Sequence, residues 1–251
     1  MPRWIRSRAL YTPPVTPWEL GAPEAGEENA NTRSIKYNLE LNKIKVNVDL
    51  KSLNDEIDFE KYDLIYIGSG SEDNMKLALN DILKRKKEIK KFIESNKYLI
   101  LTGSSMDLFG KYIKTLDDKL DALNIFDYHT EYLTETNLKN AAKNRVVGEI
   151  KASTNLIEET IIGFQNRCDL VFNVKTPLFK TQQQYSNDLT NEEEGFTYKN
   201  VYATHIIGPI LIRNPYFLDY ILNKICNDKN LKYKSLDETA KTAYKKYLEN
   251  F

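Results

Sequence analysis

Two uninterrupted apolar stretches constrain this chain more than any other feature. DLIYIGSGS (63–71) and YLILT (98–102) show no polar alternation in their apolar parts, so each needs cover on both faces. Strands of that kind belong to parallel sheets sandwiched between helices. Between them, Met75, Leu79, Ile82, Ile89, Phe92 and Ile93 recur at helical spacing, which predicts one long amphipathic helix over 74–96. A strand–helix–strand order of this type gives a right-handed crossover. The expected fold class is therefore α/β, a mixed and largely parallel sheet flanked by helices on both faces, flavodoxin-like.

The remaining pattern fills in around that unit. A helix is expected over 29–41 and a strand over 44–50. A turn at 103–105 should lead into a helix over 105–115. Strands are expected at 125–133, 146–154, 159–167, 169–174 and 200–212, with 185–195 a polar loop. Asn214–Pro215 opens a helix to about Asn227, because proline suits a first helical turn. A last helix over 236–251 takes Ser235 as its N-cap, with Glu238 completing a capping box.

Charge and composition then exclude several functions. Lys+Arg 36 against Asp+Glu 36 leaves no net field to favour nucleic acid or an anionic membrane. The charged run KRKKEIKK (84–91) reads as a solvated helix face, since no aromatic platform accompanies it. No apolar run approaches the ~20 residues of a membrane span. Two cysteines, Cys168 and Cys226, make no disulfide framework, and a cytoplasmic protein is expected. With His129 and His205 the only histidines and no CxxC, a zinc site and any other metal site are not expected. GSGSED (68–73) lacks the Lys-Ser/Thr ending of a P-loop, and no cofactor is expected.

One boundary is visible in composition. Residues 1–26 hold both tryptophans, five of the eight prolines and no lysine. They read as an atypical Pro/Arg/Trp-rich leader, foreign or mis-started, before a domain spanning 27–251.

The turn after YLILT carries the chemistry worth weighing. A strand-to-helix elbow lifts one side chain above the sheet edge and aims backbone N–H groups at the same spot, which suits acyl transfer. Gly68, Ser69, Gly70 and Ser71, after the neighbouring strand, would lie beside it where open α/β sheets bind ligands. Yet Gly103, Ser104 and Ser105 include no thiol.

Several segments together resemble the cobyric-acid-synthase-type (CobB/CobQ-like) class I glutamine amidotransferases. They are IYIGSGSED (65–73), LTGSSMDLFGKYI (101–113), IIGFQNR (161–167) and VYATHIIGPILIRNP (201–215), in the family's order. The resemblance is strongest to members that amidate a peptidoglycan precursor and covers roughly residues 27–228. It implies a class I amidotransferase fold and glutamine as a ligand. It also implies a heterodimer with a Mur-ligase-like, ATP-dependent subunit. Gly68, Ser69, Gly70, Ser71, Ser104, Gln165 and Asn166 become the candidate substrate-binding residues.

The departures are as informative. Counting back from Gly110, the family's nucleophilic cysteine falls on Gly103; counting back from Gly208–Pro209, its catalytic histidine falls on Ile207. Neither replacement can attack a carboxamide or protonate departing ammonia. The family's first strand should precede Asn29, where the leader stands, and its GxGNN-like segment reads QYSND (184–188). Three readings follow. The first is a subunit without its own glutaminase activity. The second is an active glutaminase with relocated groups, such as Ser104 or Ser105 with His205. The third is a protein binding a small amide or anion at 68–71 and 103–105. A histidine simply packed beside a vacated site is the plainer account of His205.

Overall fold

A computed structural model of the chain describes residues 4–5, 7–11, 23–133 and 145–251. The chain begins with strands β1 (Trp4–Ile5) and β2 (Ser7–Tyr11), helix α1 (Pro23–Leu41), and two-residue strands β3 (Lys45–Val46) and β4 (Leu50–Lys51). The two apolar stretches form β5 (Leu64–Ile67) and β6 (Tyr98–Thr102), parallel neighbours with Leu64 opposite Tyr98 and Ile67 opposite Leu101. Every residue of both is buried. Two later strands, β15 (Phe196–Tyr198) and β16 (Val201–Thr204), complete a six-stranded sheet in the order β15-β16-β6-β5-β2-β4. Only the β15–β16 pairing is antiparallel.

The reason for a doubly apolar pattern is visible in the packing. Side chains along a strand alternate between faces. Ile65, Ile67, Leu99 and Leu101 enter one core, with Met75, Leu79 and Ile82 of α2 (Glu72–Leu83) and Ile89 and Phe92 of α3 (Lys86–Glu94). Leu64, Tyr66, Tyr98 and Ile100 enter the other. There they meet Ile35 and Leu39 of α1, Leu211 of α4 (Ile210–Arg213) and Phe217, Leu218 and Ile221 of α5 (Pro215–Asp228). The expected mixed, largely parallel α/β sandwich is the fold.

Two smaller sheets are built from the second half. One has the order β12-β9-β7-β8, from β7 (Tyr112–Lys114), β8 (Lys119–Asp121), β9 (His129–Tyr132) and β12 (Asp169–Phe172). The other has the order β11-β10-β13-β14, from β10 (Val146–Ser153), β11 (Ile161–Arg167), β13 (Phe179–Thr181) and β14 (Glu193–Glu194). Helix α6 (Glu238–Glu249) closes the chain. No helix among the described residues is long and apolar enough to cross a membrane.

Several expectations need correction. The helix expected over 74–96 is two helices, broken at Lys84–Arg85. Arg85 leaves helical geometry there and donates to the Asp55 carbonyl at 2.7 Å, with the buried Asp81 carboxylate 3.4 Å from its Nε. The helix expected over 105–115 is a 3₁₀ turn over Gly103–Phe109 followed by β7. Its last carbonyls are taken from outside: Leu108 O accepts from Leu123 N, and Phe109 O from Ile125 N and Phe126 N. Tyr128 adds a bond from its hydroxyl to Met106 O at 2.7 Å and stacks where any Cβ on Gly110 would stand. The strand expected over 200–212 stops at Thr204, whose hydroxyl accepts from Ile206 N at 3.0 Å. The N-cap of α6 is Asp237, accepting from Ala240 N at 3.0 Å, while the Ser235 hydroxyl donates to Asp219. Where the sequence left the family's first strand unaccounted for, Ser7–Tyr11 occupies the position between β5 and β4.

Candidate functional site

At the C-terminal ends of β5 and β6 the loops 68–71 and 103–105 lie against each other. Gly103 has a φ of +59°, a left-handed conformation that side chains resist. That bend is the elbow. A Cβ placed on Gly103 would stand 2.6 Å from Ser69 Cβ, in collision also with Ser69 Oγ, and 3.4 Å from Ile207 Cγ2. Gly103 and Ile207, the two positions expected from the sequence to hold a nucleophile and a base, are therefore neighbours in space. Between them stands no reactive pair: Ser69 fills the volume a side chain at 103 would need, and Ile207 offers hydrocarbon.

The serines of the elbow are committed to the frame. Ser105 Oγ is buried and donates toward Ile67 O and Thr102 O, both at 2.9 Å, clamping the ends of β5 and β6 together. Ser104 Oγ accepts from Gly70 N at 3.1 Å and donates to Gly70 O at 3.0 Å, tying one loop to the other. The cleft that remains is lined by Gly68, Gly70, Ser71, Ser104 and Ser105 above Met75 and Leu108, and holds about 20 Å³. That is room for a water or two.

His205 does not face the elbow serines. Immediately after β16 its ring turns inward and is 1% exposed. Nε2 lies 3.4 Å from Asp107 Oδ1 and 3.5 Å from Asp169 Oδ1. Nδ1 lies 3.9 Å from Glu194 Oε1 and has no hydrogen-bond partner among the described residues. Glu194, fully buried, accepts from His205 N at 2.8 Å and from the Thr204 hydroxyl at 2.7 Å. Arg167, 5% exposed, donates to Asp169 O at 2.7 Å, Asp169 Oδ1 at 3.2 Å and Ser186 O. Thr130 Oγ1 donates to Asp107 Oδ1 at 2.9 Å.

The electrostatics follow from burial and sign. Burial, then the charge of Asp169, pushes the Asp107 carboxyl up to about 6. Burial likewise raises Glu194. Burial works against the charge on His205, but Asp169 and Asp107 outweigh it, so the imidazole holds its proton more firmly than a free one. Such a network cross-links the elbow, β12, β14 and the end of β16.

The other expected residues fall as follows. Gln165 is fully buried, its amide donating to Glu194 Oε1 at 3.3 Å and its oxygen 3.4 Å from Arg167 Nε; it belongs to the charged network. Asn166, its neighbour on the opposite strand face, accepts from Arg145 at 2.8 Å on the surface. The structure brings neither of them to the cleft beside Gly68–Ser71. Cys226 packs in the α5 core, where burial pushes its thiol up to about 11. Cys168 joins β11 to β12, and neither thiol lines the cleft. Ile207 is half-buried and bridged to Phe164 by two backbone bonds, before Gly208 turns the chain with a φ of +86°. Sequence reasoning singled out none of Asp107, Arg167, Asp169 or Glu194. Asp107 offered the one signal of an isolated charge beside an apolar run, whereas Glu194 ends the acidic triplet Glu192–Glu194 and Arg167 and Asp169 flank Cys168.

Comparison with known proteins follows the same lines. Residues 30–215 match the CobB/CobQ-like glutamine amidotransferase domain. The lipid II isoglutaminyl synthase (glutamine-hydrolyzing) subunit GatD of Staphylococcus aureus (strain N315) is 30% identical over 221 residues, 87% of this chain and 87% of the relative. The corresponding GatD of Streptococcus pneumoniae (strain ATCC BAA-255 / R6) is 28% identical over 190 residues, 74% of this chain and 70% of the relative. Among solved structures, PurLQS from Thermotoga maritima superposes with a TM-score of 0.54 at 12% identity, over 90% of this chain and 97% of that one.

Proposed function

Because the chain belongs to the CobB/CobQ-like glutamine amidotransferase family, we propose that it is an amidotransferase-like subunit without glutaminase activity of its own. Its partner is a Mur-ligase-like, ATP-dependent subunit, and the complex serves peptidoglycan-precursor amidation. The relatives' description as synthase subunits supports the partnership. The observation that carries the loss of activity is the elbow itself. A side chain at 103 would overlap Ser69, and the facing position is Ile207. Hydrolysis of a carboxamide through an acyl-enzyme needs a nucleophile and a proton donor within hydrogen-bonding reach. Ser104 and Ser105 do not supply one, since their hydroxyls bond to the Gly70 backbone and to the carbonyls that end β5 and β6.

The test is glutamine turnover by the full chain, alone and with its co-purified partner, alongside labelling by an electrophilic glutamine analogue. No ammonia and no adduct are expected. Ammonia release together with an adduct on Ser104, Ser105 or a cysteine would overturn the reading and favour relocated catalytic groups.

A further inference from the structure

Asp107, Asp169 and His205 come from three distant parts of the chain and converge in the interior, each no more than 3% exposed. Their spacing is unusual for a hydrogen-bonded cluster. An imidazolium–carboxylate bond closes to about 2.7–2.9 Å, whereas His205 Nε2 stands 3.4 Å and 3.5 Å from the two carboxylate oxygens. In a tetrahedral site with metal–ligand bonds of about 2.1 Å, neighbouring ligand atoms lie about 3.4 Å apart. The ligand atoms of all three residues lie within 4.8 Å of one another.

Two further observations point to a cation. The first is charge. Arg167 is ion-paired to Asp169, and the proton held on His205 offsets a second carboxylate. Ligation through Nε2 displaces that proton, leaving the cluster of ionised Asp107, Asp169 and Glu194 two positive charges short among the described residues. One divalent ion balances it. The second is the other ring nitrogen, Nδ1, buried and without a hydrogen-bond partner among the described residues, with Glu194 Oε1 3.9 Å away. A histidine that ligates a metal through Nε2 carries its proton on Nδ1 and aims it at a carboxylate or carbonyl behind. Glu194, fixed by Thr204 and the His205 amide, is a carboxylate behind the ring, and its Oε1 at 3.9 Å would have to close on Nδ1 to take that proton. Arg167 and Thr130 donate to Asp169 and Asp107, as outer-shell groups orient ligating carboxylates.

We infer that Asp107, Asp169 and His205 form a binding site for one divalent ion of the zinc–cobalt class, with Glu194 orienting the imidazole. The ion would join the elbow, β12 and the end of β16, and its role is structural. The inference stands apart from the presence or absence of glutaminase activity. It also revises the expectation of no metal site, which rested on cysteine and histidine counts and overlooked carboxylates.

The full chain, stripped with chelator and refolded with excess Co²⁺, is passed over a desalting column and its metal content measured. One Co²⁺ per chain is expected. Tetrahedral d–d absorption should appear without a thiolate charge-transfer band, and the Tm should exceed that of the chelator-treated protein. His205→Gln and Asp169→Asn should each lower affinity at least tenfold, while His129→Gln leaves it unchanged. Where a variant fails to fold, the wild-type spectrum decides. No retained ion, an octahedral spectrum or a thiolate band would overturn the site. So would undiminished binding in folded His205→Gln and Asp169→Asn.

Discussion

Replacing Gly103 with alanine tests the geometry of the elbow directly. The new Cβ meets two separate penalties. A non-glycine residue in the left-handed region costs about 1–2 kcal/mol, and Gly103 sits at φ +59°. The methyl also lies 2.6 Å from Ser69 Cβ, well inside carbon–carbon contact, and overpacking of this kind costs about 1–3 kcal/mol. Gly103→Ala should therefore destabilise by about 2–5 kcal/mol. Ser69→Gly removes the obstructing carbon and should cost only about 0.5–1 kcal/mol on its own, through loop flexibility. In the double variant the overlap vanishes and the backbone strain remains, so the two changes should couple favourably by about 1–3 kcal/mol. Urea unfolding followed by circular dichroism supplies the four free energies, with the slope of each transition checking that the denatured state is unchanged. Additivity of the two substitutions within about 0.5 kcal/mol, or a Gly103→Ala protein as stable as wild type, would refute the claim that Ser69 occupies the nucleophile's volume. The same overlap predicts that Gly103→Cys with Ile207→His gains no glutaminase activity while Ser69 is in place.

Arg167→Met removes the guanidinium ion-paired with buried Asp169, and the loss of one partner of a buried ion pair costs about 3–5 kcal/mol; urea midpoints in metal-free buffer read it. Asn214→Ala deletes bonds to Ile162 N at 2.8 Å, Ile162 O at 2.7 Å and Ile210 O at 2.8 Å. With buried backbone left unpaired it should cost about 2–3 kcal/mol in the same assay. Asp237→Ala should cost about 1 kcal/mol as loss of a helix cap, and Ser235→Ala less, which distinguishes the observed cap of α6 from the one expected from the sequence.

The central sandwich was legible because β5 and β6 are apolar at every position but Thr102, and only a two-sided core demands that. What followed each strand was less so. Leu108, Phe109 and Ile113 recur at a spacing compatible with a helix, yet the carbonyls of Leu108 and Phe109 bond to the 123–126 segment. Residues far along the chain decided that local conformation. The break at Arg85 has the same cause, a guanidinium drawn to a carbonyl thirty residues earlier. Counting from Gly110 and Gly208 singled out Gly103 and Ile207, and a Cβ on Gly103 would lie 3.4 Å from Ile207 Cγ2. The buried cluster was not. Asp107 and His205 are 98 positions apart, and nothing in the neighbours of either residue announces a partner.

The segments that resemble the family are accounted for without catalysis. Gly208 turns the chain at a φ of +86°, Pro209 caps α4, and Asn214 binds β11 through its side chain. Arg213 reaches Glu149 at 3.3 Å and the Tyr247 hydroxyl at 3.2 Å, fastening that turn to β10 and α6. In LTGSSMDLFG, Gly103 and Ser105 form the bend, Asp107 enters the buried cluster, and Gly110 makes room for Tyr128. Gly110, Gly208, Pro209, Arg213 and Asn214 thus each have a packing or hydrogen-bonding task. Under the proposed function, Gly103 and Ile207 are departures of another kind, standing where only chemistry would call for cysteine and histidine. A fold can be held by the first set and be silent at the second, and a partner subunit that docks on the shape of this domain would find that shape intact.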